Sequence, residues 1–187
     1  YRVFLPQVPE ALYARQIGEE GSNVIAYLKD DNNNGFTLVL TANGGIDAPS
    51  ESNLLFGAKD TDNAWNANVK SVDLTNFRTD NATTLAFLFN GSKSLETITG
   101  IEHLNTTQVQ DLTAAFQYCA ALTNLDLSSW KTDNVTSVSN MFFQTTQLQT
   151  VTGMDTWNMP KLTEARALFA YSGITKVDLS NWNPTEL

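Results

Sequence analysis

Asp30, Asn32, Asn34 and Gly35 stand in the order D-x-N-x-N-G, the spacing with which a calcium loop presents its first oxygen ligands. The closing twelfth position of such a loop needs a bidentate glutamate, and Thr41 occupies it here. One neutral hydroxyl cannot supply the missing charge. Asp30, Asn32 and Asn34 therefore read as a polar turn, with an incomplete cation set as the competing interpretation. Asp60, Asp62 and Asn63 form a second acidic stretch of the same kind. His103 is the sole histidine, and no nearby residue supplies the partners that a triad or a zinc centre requires. Cys119 is the sole cysteine, which excludes an internal disulfide and a thiolate cage. Nucleophile elbow, P-loop and dinucleotide fingerprint are all missing, and no two carboxylates are singled out as a glycosidase pair. The expectation is a protein with no enzymatic activity, no cofactor and no metal site.

Charge narrows the choice of partner. Twenty acidic residues against eleven basic ones give the 187-residue chain a net charge of −9 and an isoelectric point near 4.4. No Lys/Arg cluster overrides that field, so nucleic acid and anionic membranes are disfavoured. Apolar residues make up 42% and mean hydropathy is −0.22, a composition that fills a core. No run approaches the roughly 18 consecutive apolar residues of a membrane span. The first residue is Tyr, so a signal or anchor is expected to lie outside this sequence.

The elements that would position any site are set by a repeat. Leu122, Leu125, Leu127, Trp130, Val135, Val138, Met141 and Phe142 mark the apolar slots of one copy, and Leu148, Val151, Met154, Trp157, Leu162, Ala165, Leu168 and Phe169 fill them in the next. Two earlier copies begin at Val69 and Leu95, and a partial fifth begins at Ile174. Their closing phenylalanines, 89, 116, 142 and 169, give a period of 26 to 27 residues, within the range of leucine-rich repeats.

Each copy predicts a short strand around Leu125-Asp126-Leu127, where apolar and polar residues alternate. Thr132-Asp133-Asn134 then has the side chains that cap a helix start. Val135, Val138, Met141 and Phe142 follow at i, i+3, i+6 and i+7, the stripe of a short amphipathic helix. Cys119, Ser92, Thr145 and Ser172 share a small buried slot after that helix. Odd copies read Val72-Asp73-Leu74, Leu125-Asp126-Leu127 and Val177-Asp178-Leu179. Even ones are a residue longer, with Gly100 and Gly153 inserted, which predicts a bulge and a two-copy unit of about 53 residues. Four sequons start at Asn81, Asn90, Asn105 and Asn134. Asn81 and Asn134 share one slot near the helix start, where capping accounts for them.

The string from Leu125 to Phe142, LDLSSWKTDNVTSVSNMF, resembles the BspA-type leucine-rich repeat of bacterial surface proteins, and the likeness covers residues 69 to 187. Two departures are the scarcity of cysteine after the helix and Ala82 and Leu88 in the first copy. The chain also lacks the asparagine ladder of other leucine-rich classes, with Phe77, Leu104, Trp130, Trp157 and Trp182 at that slot. The fold expected is an α/β leucine-rich-repeat solenoid, with a parallel sheet on one face and short helices on the other. Its repeat domain, residues 69–187, follows an N-terminal cap, residues 1–68. The resemblance further implies a bacterial, extracellular or cell-surface location without glycosylation.

Within the cap, Val24–Leu28 and Phe36–Leu40 flank a turn ending in Asn-Gly and predict a β-hairpin. Pro9–Gln16 predicts a short helix, and residues 47 to 68 a polar loop. Stacked strands would align Asp73, Thr99, Asp126, Thr152 and Asp178 in an outward row, flanked by Asn124 on one side and by Ser128 and Asp155 on the other. That polar sheet face is the candidate ligand-binding surface; the tryptophans other than Trp65 are expected in the core. The resemblance implies an adhesin-like binding module for a host or matrix protein or a glycan, monomeric or at most weakly self-associating. The alternative is a structural spacer with no ligand.

Overall fold

A computed structural model describes residues 11–16, 25–30, 36–41, 46–48, 50, 52, 55–58, 66, 68–185 and 187. The described strands are β1 (Ala11–Gln16), β2 (Ile25–Asp30), β3 (Phe36–Thr41), β4 (Ile46–Asp47), β5 (Val69–Asp73), β6 (Phe77–Arg78), β7 (Thr97–Thr99), β8 (Asn124–Asp126) and β9 (Thr150–Thr152). They form small, mostly parallel sheets. One has the order β1-β2-β3-β5-β7, and β4-β6 and β8-β9 make two-stranded pairs. The first copy contributes β5 and β6 and each of the next three copies one short strand, and parallel bridges between successive copies join residues 26 or 27 apart in sequence.

The expected helices are not there. Among the described residues no α-helix exists, and only the 3-10 turns Ile101–His103 and Met154–Thr156 are helical. From Val135 to Leu148 the chain instead makes overlapping tight turns: the amide of Val135 donates to the Thr132 carbonyl, Met141 to Val138, Phe143 to Asn140 and Leu148 to Thr145. The alternate amides turn outward to the following copy. Val138 donates to Glu164 (2.9 Å), Asn140 to Arg166 (2.8 Å), Phe142 to Leu168 (3.0 Å) and Gln144 to Ala170 (3.0 Å). Copies one and two repeat the scheme, with Leu85, Phe87, Phe89 and Gly91 donating to Asp111, Thr113, Ala115 and Gln117. A three-residue return brings apolar side chains to one face just as a helix does, so the spacing of Val135, Val138 and Met141 fits both. The helix loses because its i−4 carbonyls are replaced by those of the neighbouring copy. Turning alternate amides outward needs left-handed backbone, found at Phe87, Ala114, Asn140 and Ala167 (φ 50 to 58°) and again at Tyr118, Gln144 and Tyr171 (φ 56 to 62°).

Thr132-Asp133-Asn134, read as a helix cap, is a corner that ties copies together. The buried hydroxyls of Thr79, Thr106 and Thr132 donate to the carbonyls of Asn105, Lys131 and Asn158. On the outer side the Asn134 side chain donates to the Thr107 carbonyl and accepts from Lys161 Nζ. Inside, the phenylalanines are in register. Phe89, Phe116, Phe142 and Phe169 stack at 5.7, 5.7 and 5.8 Å between ring centres, with interplanar angles of 23, 5 and 1°. A second column runs Trp130–Trp157–Trp182, at 6.5 and 6.0 Å. Each indole N–H in it donates to a carbonyl of the preceding copy: Trp130 to Ile101, Trp157 to Leu127 and Trp182 to Met154. These bonds serve the inter-copy role that the sequence left without an asparagine ladder.

The alternation of long and short copies has a geometric basis. Leu74 donates to Thr99 and Leu127 to Thr152, so strand pairing joins copy one to two (β5–β7) and three to four (β8–β9). It does not join β7 to β8. In the even copies Gly100 (φ 80°) and Gly153 (φ 95°) lead into the 3-10 turns and press against the odd copy before them. A Cβ on Gly153 would lie 2.3 Å from Ser128 Cα, and one on Gly100 2.6 Å from the Thr75 nitrogen. The alternating strand pairing agrees with the predicted two-copy unit. In place of the predicted bulge, each glycine lies just past its strand and opens a 3-10 turn in left-handed conformation. Across all four copies the turn side continues unbroken through the parallel bridges Thr84–Asp111–Ser137–Glu164.

Residues before Val69 join the same stack. The strands β2 and β3 form the antiparallel pair expected as a hairpin, and β3 in turn pairs parallel with β5. Where a polar loop was expected, β4 pairs with β6, and Phe56 and Ala58 donate to the Leu88 and Asn90 carbonyls. Phe56 lies 5.5 Å from Phe89 and extends the phenylalanine column. Asn66, buried, clamps this turn by donating to the Phe56 carbonyl and the Ser92 hydroxyl. Side-chain pairs across this junction are 31 to 34 residues apart, which hides the copy from a search at the repeat period. The expected helix over Pro9–Gln16 is instead strand β1 over Ala11–Gln16, antiparallel to β2. So short a helix is marginal alone, whereas a sheet edge offers backbone partners.

Gly153→Ala must place a left-handed alanine against the Ser128 backbone. It is expected to lower unfolding free energy by at least about 2 kcal/mol in urea titration. Gly173→Ala, whose Cβ would approach the Thr146 carbonyl of the preceding copy at 2.6 Å without a positive φ, gives the comparison: the left-handed turn requires the larger loss at Gly153.

Candidate ligand-binding face

The strand row projects outward as two short segments. Asp73 pairs with Thr99 and Asp126 with Thr152, but no strand pairing joins Thr99 to Asp126. Thr99, Asp126, Thr152 and Asp178 are exposed, and Asp73 is half-buried. Asn124, Ser128 and Asp155 are exposed beside them, and Asn124 accepts from the Thr150 hydroxyl at 2.6 Å. Asp178 lies outside any strand, so the fifth member does not continue the ladder.

The aspartates of this row are used locally. One carboxylate oxygen of Asp73 accepts from the Thr75 amide (2.9 Å) and hydroxyl (2.6 Å). Asp126 accepts likewise from the Ser128 amide and hydroxyl, and Asp178 from the Ser180 amide. The recurring Asp-x-Ser/Thr is therefore a side-chain turn that ends each odd strand. The Ser128 hydrogen bonds hold the Asp126 carboxyl below the usual carboxylate range, and those of Ser180 do so for Asp178. The row offers small polar groups and no aromatic or arginine anchor.

The other sequence candidates do not assemble into a site. Asp30 ends β2; Asn32, Asn34, Asp60, Asp62, Asn63 and Trp65 lie outside the described residues. Among the described residues no three His, Cys, Asp or Glu side chains converge as metal ligands, and no helix is long and apolar enough to cross a membrane. His103 is exposed, 3.6 Å from its neighbour Glu102. Cys119 is fully buried with its thiol on the Phe89 carbonyl at 3.3 Å, and burial pushes the thiol pKa far up. Ser92 and Thr145 are buried in the same slot, as the sequence suggested, although it closes a turn rather than a helix. Of the sequon asparagines, Asn90 is buried and donates to the Ala58 carbonyl.

Sequence reading missed a second surface. Tyr118, Phe143 and Tyr171 form an edge-to-face series on the turn side, with ring centres 5.7 and 5.5 Å apart and planes at 83°. They stand outside the hydrophobic core, and Tyr171 is 74% exposed. Tyr118 and Tyr171 occur two residues past the closing phenylalanine of their copies, at the slot held elsewhere by Gly91 and Gln144. That recurrence across alternate copies is the only trace of the ridge in the sequence.

Two outcomes follow from these environments. Asp126 and Asp178 titrate below their unfolded value of about 3.9, so their contribution is complete above that pH. It is lost as pH falls through the lower folded values. Melting curves from pH 7 to 2.5 should show a decline below about pH 4, smaller in Asp126→Ala/Asp178→Ala than in the parent. Cys119 should remain unmodified by a thiol reagent in the native protein and react at the rate of unfolding. Rapid native labelling would contradict its burial.

No curated protein and no solved structure matches the chain. Residues 59–183 match the model of one family, which takes in the four copies and the end of the segment before them. By that match the chain belongs to the family described as Mycoplasma protein of unknown function, DUF285.

Proposed function

We propose that this chain is a non-enzymatic binding module: a leucine-rich-repeat-related solenoid of the BspA kind, displayed at a bacterial cell surface or secreted. It presents a rigid outer surface to a host or matrix protein or to a glycan. The observation that carries the reading is the stack itself. Four copies in register, joined by backbone bonds along the turn side and by two aromatic columns, make an extended and inflexible surface. Stacked repeats of this kind bind through such extended surfaces. The resemblance of the repeat to the BspA type is what turns the reading toward a bacterial surface.

The polar strand row is one face available for that role, through Thr99, Asn124 and Thr152, whose side chains are exposed. A spacer without a ligand is the second reading. It is favoured by the commitment of Asp73, Asp126 and Asp178 to their own turns. The test is binding of the folded chain to immobilised mucin and extracellular-matrix proteins. A Thr99→Arg/Thr152→Arg variant is the comparison, because it blocks the row without removing a turn-forming aspartate. Loss of binding with an unchanged melting temperature supports recognition by the strand row. Equal binding by the variant removes the row from the account, and no binding by either chain favours the spacer.

A further inference from the structure

We propose that the ridge of Tyr118, Phe143 and Tyr171 is a binding site for a neutral oligosaccharide lying along the stacking direction. This deepens the binding-module reading and rests on it, but moves recognition from the strand row to the turn side. The first observation is that the three rings are surplus to the fold. Each internal column is filled by Phe89, Phe116 and Phe142 or by the tryptophans, and the ridge packs against neither. Tyr118 and Phe143 are half-buried and Tyr171 is exposed, and aromatics gathered outside the core in this way mark an interaction surface.

Backbone conformation is the second observation. Tyr118 (φ 62°) and Tyr171 (φ 58°) occupy a left-handed slot where the first copy has Gly91 (φ 79°). Bulky aromatics in that region carry a steric penalty that glycine or asparagine avoids. The fold needs a left-handed residue at this slot, and nothing in the packing requires a tyrosine. Strain at such residues points to function when no structural gain accompanies it.

Chemistry of the surroundings selects the ligand. Segments 117–121, 143–147 and 170–173 contain no Asp, Glu, Lys, Arg or His, although the chain as a whole is 17% charged. What flanks the rings is amide and hydroxyl: Gln117, Gln144, Thr146 and Gln147. Lys93, whose carbonyl accepts from the Ala121 amide, is a cation bordering these segments; the segments that bear the rings offer an ionic ligand no partner. Along copies two and three an extended peptide has no edge to pair with, because the Tyr118 and Gln144 amides are already given to the Phe143 and Ala170 carbonyls. A neutral pyranose suits both facts. Its C–H face packs on an aromatic ring, whose negative face attracts those hydrogens, and its hydroxyls take the side-chain amides and hydroxyls that fix orientation. Rings recurring once per copy suit a ligand that is itself a polymer.

The experiment titrates the whole chain with three neutral hexasaccharides (chitohexaose, cellohexaose and mannohexaose), a sulfated oligosaccharide and an uncharged Gln/Pro-rich peptide. Tyrosine fluorescence and proton NMR line broadening are the readouts. The comparison variant is Tyr118→Asn/Tyr171→Asn, which removes the rings while supplying a residue that tolerates left-handed backbone. It is expected to fold with equal or higher melting temperature. Saturable binding of at least one neutral hexasaccharide, weakened about tenfold or more in the variant, is the expected result. Absence of binding to all three at millimolar concentration overturns the proposal. So does equal binding by the variant, or binding confined to the sulfated sugar or to the peptide. Thr99→Arg/Thr152→Arg leaves the ridge intact, so loss of sugar binding there and not in the tyrosine variant would assign the ligand to the strand row instead.

Discussion

In copies one to three, alternate turn-side amides that a helix would have bonded within their own copy are bonded instead to the copy that follows, and the rest of the architecture depends on that exchange. Leu85, Phe87, Phe89 and Gly91 give their amides to the second copy, Leu112, Ala114, Phe116 and Tyr118 theirs to the third, and Val138, Asn140, Phe142 and Gln144 theirs to the fourth. These bonds hold adjacent copies at the spacing of a β-ladder. Helices packed side by side stand roughly 8–10 Å apart and could not bring one copy's ring onto the next. The stacking distances of 5.7 and 5.8 Å between phenylalanines are consequences of the exchange. It also requires left-handed backbone at two positions per copy, a strain that the ladder and the buried rings outweigh. A buried aromatic stacked on its neighbours contributes about 2–4 kcal/mol, against roughly 1–2 kcal/mol for each left-handed residue.

The two sides of the stack then behave differently. On the turn side the ladder is continuous through all four copies. On the strand side it is interrupted wherever Gly100 or Gly153 swings the chain against the preceding odd copy. The interruption makes the strand face a pair of short polar segments. The aspartates that looked most available for a ligand each commit one carboxylate oxygen to closing a turn. Surplus aromatic surface lies on the turn side, where the outward amides of copies one to three are already engaged. Along those copies recognition has to run through side chains, which is why the proposed ligand is a sugar and not a strand.

How much of this was legible differs from one feature to the next. The phenylalanine register could be read from positions 89, 116, 142 and 169, because a residue buried against its own counterpart must recur at the period of the stack. The small slot at Ser92, Cys119 and Thr145 was legible for the same reason, and so was the two-copy unit, since an inserted glycine shifts every later position by one. The helix was misread because Val135, Val138 and Met141 satisfy two geometries with a common spacing. Asp60, Asp62 and Asn63 cannot be compared with the structure, whereas Phe56 can: it joins the ring column from a position that no period of 26 or 27 predicts.

Sequence alone determined the composition of the core, the length of the repeat and the alternation of copies, because burial and steric freedom act on residue types at fixed intervals. Tertiary structure decided where the backbone hydrogen bonds go, and with them the choice of turns over helices and of strand β1 over a helix. It also decided which side chains remain free for a partner. That choice depends on carbonyls supplied from a neighbouring copy, or from β2 in the case of β1, and no local pattern of residues encodes whether such a neighbour lies within reach.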